Sequence, residues 1–188
     1  TGEGPSTLLI ALIWLRLCRA VYIAPGNRRA FSLAEEGTMG EYSTLKFEQR
    51  GENIAVITLN RPERLNAITW TMVDEMHAVL DLLEKDLNTR VVILTGEGRG
   101  FCSGTDLKGE GDSGDRPAPP SIAAHYRNQR NIGDVVLHMR KIPQPIIGAI
   151  NGVAAGGGFS FSMACDIRVA AASARFICSF INIGLSSG

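Results

Sequence analysis

Two glycine-bearing segments carry the strongest chemical signal in the sequence. One is Phe101-Cys-Ser-Gly-Thr-Asp-Leu107, downstream of the apolar run Val91-Val-Ile-Leu94. The other is Ala154-Ala-Gly-Gly-Gly-Phe159, between a second apolar run and a helix-like stretch. Glycine at such junctions lets a ligand approach the backbone, because no Cβ stands in the way. A helix starting near Gly158 would offer unpaired N–H groups and the positive end of its dipole. Two such donors converging on one oxygen would stabilise an enolate, each worth about 3–4 kcal/mol. Glycine loops beside strands also serve simply as turns, so the spacing alone leaves both readings open.

Other patterns do not hold up. Gly96-Glu-Gly98-Arg-Gly100 follows a strand signal but is spaced G-x-G-x-G, and no long apolar helix follows it, which argues against a dinucleotide site. Gly158-Phe-Ser160-Phe-Ser162 resembles a nucleophile elbow without its second glycine, and no histidine follows His138 to complete a hydrolase triad. The histidines, His77, His125 and His138, lie far apart, and Cys18, Cys102, Cys165 and Cys178 form no C-x-x-C pair, so no zinc site is expected. The thiols read as buried or incidental ones of a reducing compartment.

The elements that must position the glycine segments follow from periodicity. Leu45, Phe47 and Ile54–Leu59 predict two strands joined by a turn at Arg50-Gly51-Glu52. Asn60-Arg-Pro-Glu63 reads as a loop, since Pro62 disfavours helix at Arg61. Thr69 caps a helix in which Met72, Val73, Met76, Val79, Leu80 and Leu83 recur at helical spacing, which is core packing rather than a ligand box. Val91–Leu94 reads as a strand buried on both faces. Residues 109–120 read as a surface loop holding Glu110, Asp112 and Asp115, and 122–140 as a helix ended by Pro143-Gln-Pro145. A strand over 146–150, an apolar helix over 159–164 and strand signals at 167–171 and 174–177 complete the pattern. Strands alternating with helices predict an α/β fold with right-handed crossovers and a largely parallel sheet.

Composition sets outer bounds. The 188 residues are 45% hydrophobic, enough for one sizeable core. With 19 basic and 19 acidic side chains, nothing recommends nucleic acid as a partner. Residues 1–38 differ from the rest: basic, with no acid between Glu3 and Glu35, and with an apolar run over 8–15 too short to cross a bilayer. This predicts a mitochondrial transit peptide or a leader, with Met39 as an alternative start, and a core over 39–188.

The blocks Asn60-Arg-Pro-Glu-Arg-Leu-Asn-Ala67, Phe101–Leu107, Ile150-Asn-Gly-Val-Ala-Ala-Gly-Gly-Gly158 and Cys165-Asp166 resemble the signature of the crotonase (enoyl-CoA hydratase/isomerase) family, in order, from about Tyr42 to the end. The resemblance implies a spiral of ββα units with a mostly parallel sheet, homotrimers or hexamers, and an acyl-CoA thioester substrate in which coenzyme A is part of the substrate, with no separate cofactor. It implies that the backbone N–H groups of Thr105 and Gly157 form an oxyanion hole. Arg64, Leu65, Ala67, Ser103, Asp106, Leu107 and Gly156 then match substrate-binding positions. Relatives continue into a C-terminal helical region absent from this sequence, which therefore reads as the N-terminal part of a longer protein.

Two positions depart from the family pattern. Where its hydratases carry glutamates, this sequence has Ser160 and, by alignment, Phe180. Neither exchanges a proton near neutral pH as a carboxylate does. Asp106 reads as a residue that orders its loop. Two functions follow from the resemblance: an enzyme acting through an enolate-like intermediate in acyl-CoA metabolism, or a non-catalytic acyl-CoA binder or scaffold.

Overall fold

The computed structural model describes residues 21–23, 42–107 and 121–180, with side chains placed over 42–107, at 121 and over 130–180. The rest of the expected leader, Met39, the 109–120 loop with its acids, His125 and the last eight residues lie outside the described residues or side chains.

After β1 (Val21–Ile23), the hairpin of β2 (Leu45–Arg50) and β3 (Ile54–Leu59) turns through Gly51, whose φ of 58° suits glycine. It leads to α1 (Trp70–Lys85), and the chain then repeats one pattern. Strand β4 (Val91–Gly96) is followed by the short β5 (Gly100–Cys102) and by α2 (Ile122–Met139). Next come β6 (Ile146–Ile150), β7 (Val153–Ala155) and α3 (Gly157–Ala164), then β8 (Ile167–Ala170) and β9 (Arg175–Ile177). Each repeat gives its first strand to a six-stranded sheet, ordered β1-β8-β6-β4-β3-β2, and its second to a three-stranded sheet, ordered β5-β7-β9. All pairings are parallel except the β2–β3 hairpin. The expected ββα spiral is this alternation.

Helix α1 forms where its periodicity predicts. Thr69 Oγ1 accepts from the Met72 N–H at 3.1 Å, and all six residues of the predicted apolar face are buried. They pack with Leu45, Ile57, Leu59, Val92 and Leu94 in one core cluster. At the far end of α1, the buried Gln144 donates to Leu83 O at 2.7 Å and Asp86 O at 2.8 Å, satisfying carbonyls that the helix leaves open. The Pro143-Gln-Pro145 break is thus also a cap for another helix.

Two expectations change. Strand β4 is not buried on both faces: Val92 and Leu94 are buried, whereas Val91, Ile93 and Thr95 are partly exposed, because the core cluster covers one face. Residues 100–102 and 153–155, where no strand was expected, are short strands that pair with each other. Val21–Ile23, inside the expected leader, pairs in parallel with β8 at the sheet edge.

Asp166, between α3 and β8, ties three elements together. Its carboxylate accepts from the Ile146 N–H at 2.8 Å and from Arg140 Nη1 at 2.6 Å. Burial alone would raise its pKa, but the Ile146 N–H and the Arg140 guanidinium outweigh it and hold the carboxyl below its ordinary value. A depressed carboxyl adds stability above its unfolded value and loses it as pH falls through the folded one. Asp166→Asn should therefore cost about 1 kcal/mol in urea unfolding near neutral pH, a hydrogen-bond-sized loss discounted for exposure. The gap to the wild type should narrow below about pH 4; a gap independent of pH would show that the charge contributes nothing.

Candidate functional site

The site is assembled by two side-by-side backbone alignments. In the first, the segment 61–69 runs along 100–106. The Ser103 N–H donates to Leu65 O at 3.0 Å, the Ile68 N–H to Gly104 O at 2.8 Å, and the Asp106 N–H to Ile68 O at 2.9 Å. Ser103 Oγ adds a bond to Arg64 O at 3.2 Å. Ile68 bridges in parallel to Thr105 but bonds to the residues on either side of it. The N–H of Thr105 therefore points away from Ile68, and it has no acceptor among the described residues.

In the second alignment, the start of α3 lies against the same strand. A Cβ on Gly158 would land on Cys102 O, and one on Gly104 would sit 2.8 Å from Ala155 O and 3.4 Å from the Gly157 nitrogen. Gly104 also holds φ at 94°, which a side chain would strain. Gly156, at φ 50°, turns the chain into the helix and donates to Ile177 O at 3.1 Å. Gly157 is the first residue of α3, so its N–H has no intrahelical partner. A Cβ placed on Gly157 would lie 4.0 Å from Thr105 Oγ1. Two backbone donors with no acceptor among the described residues thus flank Gly104.

Of the residues named from sequence, Arg64, Leu65, Ala67, Ser103, Thr105, Asp106, Gly156 and Gly157 come together here. Leu107 follows at the edge, 70% exposed. Ser160 lies one turn into α3, partly buried, with its N–H on Gly156 O at 3.0 Å. Phe180 follows β9, partly buried, and its neighbour Ser179 has its hydroxyl 3.4 Å from where a Gly156 Cβ would be.

Sequence reasoning missed the side chains that hold this arrangement. Arg61, 8% exposed, donates from Nη1 to Ala67 O at 2.7 Å and from Nη2 to Asp106 Oδ2 at 3.1 Å. Asp106 is thereby engaged as an ion-pair partner, as its reading as a loop-ordering residue expects. Asn66, fully buried at φ 55°, accepts from the Arg61 N–H at 2.8 Å. Its Nδ2 donates to Glu97 O at 3.0 Å and Gly100 O at 2.8 Å. Asparagine tolerates this left-handed backbone, a signal present in Leu-Asn-Ala but silent about its distant partners. Cys102, beside the site, and Cys165 are buried, and burial pushes both thiols up to about 12, so neither supplies a thiolate.

The profile of the enoyl-CoA hydratase/isomerase family matches residues 49–188. The chain belongs to that family. It is 40% identical over 153 residues to the probable enoyl-CoA hydratase echA12 of Mycobacterium bovis, covering 80% of this chain and 53% of that protein. It is 41% identical over 138 residues to the 1,2-epoxyphenylacetyl-CoA isomerase of Escherichia coli K12, covering 71% and 50%. The solved structure of a probable enoyl-CoA hydratase/isomerase from Mycobacterium abscessus superposes with a TM-score of 0.67 at 36% identity, covering 78% and 53%. The chain spans about half the length of the curated relatives it matches. In this family member, no helix among the described residues is long and apolar enough to cross a membrane.

Replacing Arg61 by Met would remove a buried donor from Ala67 O and the countercharge from Asp106. Chemical denaturation should show a loss of about 2–4 kcal/mol, while Asp106→Asn, which keeps the shape, should lose less. A change under about 0.5 kcal/mol for Arg61→Met would mean that the pair does not organise the loop.

Proposed function

We propose that the protein binds an acyl-CoA thioester and polarises its carbonyl through the backbone N–H groups of Thr105 and Gly157. The observation that carries this reading is the pair of N–H groups flanking Gly104, one directed away from the Ile68 bridge and one at a helix N-terminus. A thioester oxygen gains negative charge as an enolate forms, and preorganised donors then gain strength at no reorganisation cost. Arg64, Leu65, Ala67, Ser103, Asp106, Leu107 and Gly156 would line the path of the coenzyme A moiety. The similarity to proteins named as hydratase and isomerase supports the acyl-CoA substrate class. Assembly as a homotrimer or hexamer belongs to the same proposal.

The acid–base group decides the reaction. Ser160 and Phe180 stand where the family resemblance places the hydratase glutamates, and the Asp106 carboxylate is held by Arg61. This favours isomerase- or lyase-type chemistry with an acid–base group elsewhere, and disfavours hydration. The same substitutions support a second reading, an acyl-CoA binder without catalysis.

Difference infrared spectroscopy of a bound enoyl-CoA should show its thioester carbonyl stretch displaced to lower frequency. Gly157→Pro removes one donor at a helix position where proline fits, and should lose about 3–4 kcal/mol of the stabilisation. Gly157→Ala keeps the N–H and meets only the flexible end of Ile68, at 2.7 Å, so the displacement should survive. An unshifted carbonyl in the wild type would sink the proposal. Crotonyl-CoA hydration should be negligible; rapid turnover would show that Ser160 and Phe180 do not occupy the acid–base positions.

A further inference from the structure

The facing sides of α1 and α2 gather four titratable side chains that play no part in the candidate site. His77, Asp81 and Glu84 lie on α1 at helical spacing, and His138 lies in the last turn of α2. His138 Nε2 is 3.5 Å from Asp81 Oδ1 and 3.9 Å from Glu84 Oε2, and one donor atom from each residue falls within 4.8 Å of the others. On its other side, His138 Nδ1 is 3.0 Å from His77 Nδ1, with the rings stacked at 5.3 Å. His77 Nε2 in turn lies 3.5 Å from Asn131 O.

The proton positions follow link by link. In the tautomer that uses the Asn131 carbonyl, which only accepts, His77 Nε2 donates and Nδ1 is left as the acceptor. His138 Nδ1 must then donate to it. In that tautomer the Nε2 lone pair of His138 faces two carboxylate oxygens. Three electron-rich atoms around one point need a cation between them.

We propose that Asp81, Glu84 and His138 form a divalent-metal site of the zinc class that clamps α1 to α2, with His77 as the positioning residue for His138. Donors about 2.0–2.2 Å from a tetrahedral zinc lie about 3.3 Å apart, close to the 3.5 and 3.9 Å here. His138 is 13% exposed and fixed, whereas the carboxylates, 60% and 51% exposed, are free to close on an ion. A ligating histidine whose other nitrogen is hydrogen-bonded is the usual outer-shell arrangement. Three protein ligands leave a fourth position for water.

Calorimetric titration of the purified, EDTA-treated protein with Zn²⁺ tests this, with Co²⁺ as a spectroscopic probe. The expected result is one saturable equivalent per chain and the visible absorption of tetrahedral cobalt. Asp81→Asn and Glu84→Gln are exposed changes that leave the fold intact, and each should weaken binding about 10-fold or more. His77→Phe should weaken it about 10–100-fold while leaving the three ligands in place. Zn²⁺ should raise the melting temperature of the wild type and not of Glu84→Gln. Absence of saturable binding, cobalt that stays in its hydrated octahedral form, or affinity unchanged in both carboxylate variants would overturn the site.

Discussion

The arrangement of this molecule depends on how closely the backbone of 99–105 lies against that of 152–158. At Gly152 a Cβ would strike Arg99 O, at Gly158 it would strike Cys102 O, and at Gly104 it would stand 2.8 Å from Ala155 O. Only residues without a side chain fit at these points. The same closeness lets β5 and β7 pair in parallel and seats the first turn of α3 beside Thr105. A donor pair built from main-chain N–H groups is therefore a by-product of strand pairing, and side-chain identity around it is free to vary.

Such a tight turn region exposes carbonyls that must be satisfied. Two asparagines do this. Asn66 donates to Glu97 O and Gly100 O, and Asn151 donates to Gly96 O, Gly98 O and Gly100 O, at 2.8, 2.9 and 3.2 Å. The carbonyls of the G-x-G-x-G loop are thus engaged by internal hydrogen bonds that fix its shape. Arg61 extends the network outward by joining Ala67 O to Asp106 across the two strands. The geometry of the candidate site and local stability consequently share residues.

Local signals made much of this legible in the sequence. The Thr69 cap and the 3.6-residue spacing from Met72 to Leu83 located α1, and the β-branched runs located β3, β4 and β6. The glycine blocks located the site region because their spacing reports close backbone approach. What stayed hidden was long-range. Strands β5 and β7 span three residues each, too few to show a period of two, so two of the three strands of the second sheet went unread and only β9 was signalled. Gln144 caps a helix some sixty positions earlier, and His138 meets Asp81 and Glu84 from another helix, so no spacing in the chain announces either contact. Strand β4 was over-buried in expectation because an apolar run does not reveal that helices cover only one of its faces.

The central claim is that the Thr105 and Gly157 N–H groups bind the same oxygen. Amide proton and nitrogen resonances of these two residues, followed by NMR as a non-reactive acyl-CoA thioester is added, address it directly. The account predicts that both amide protons move downfield together along one saturation curve, with Gly158 and Asp106 changing far less. Saturable binding that leaves both resonances in place, or moves only one, would contradict it.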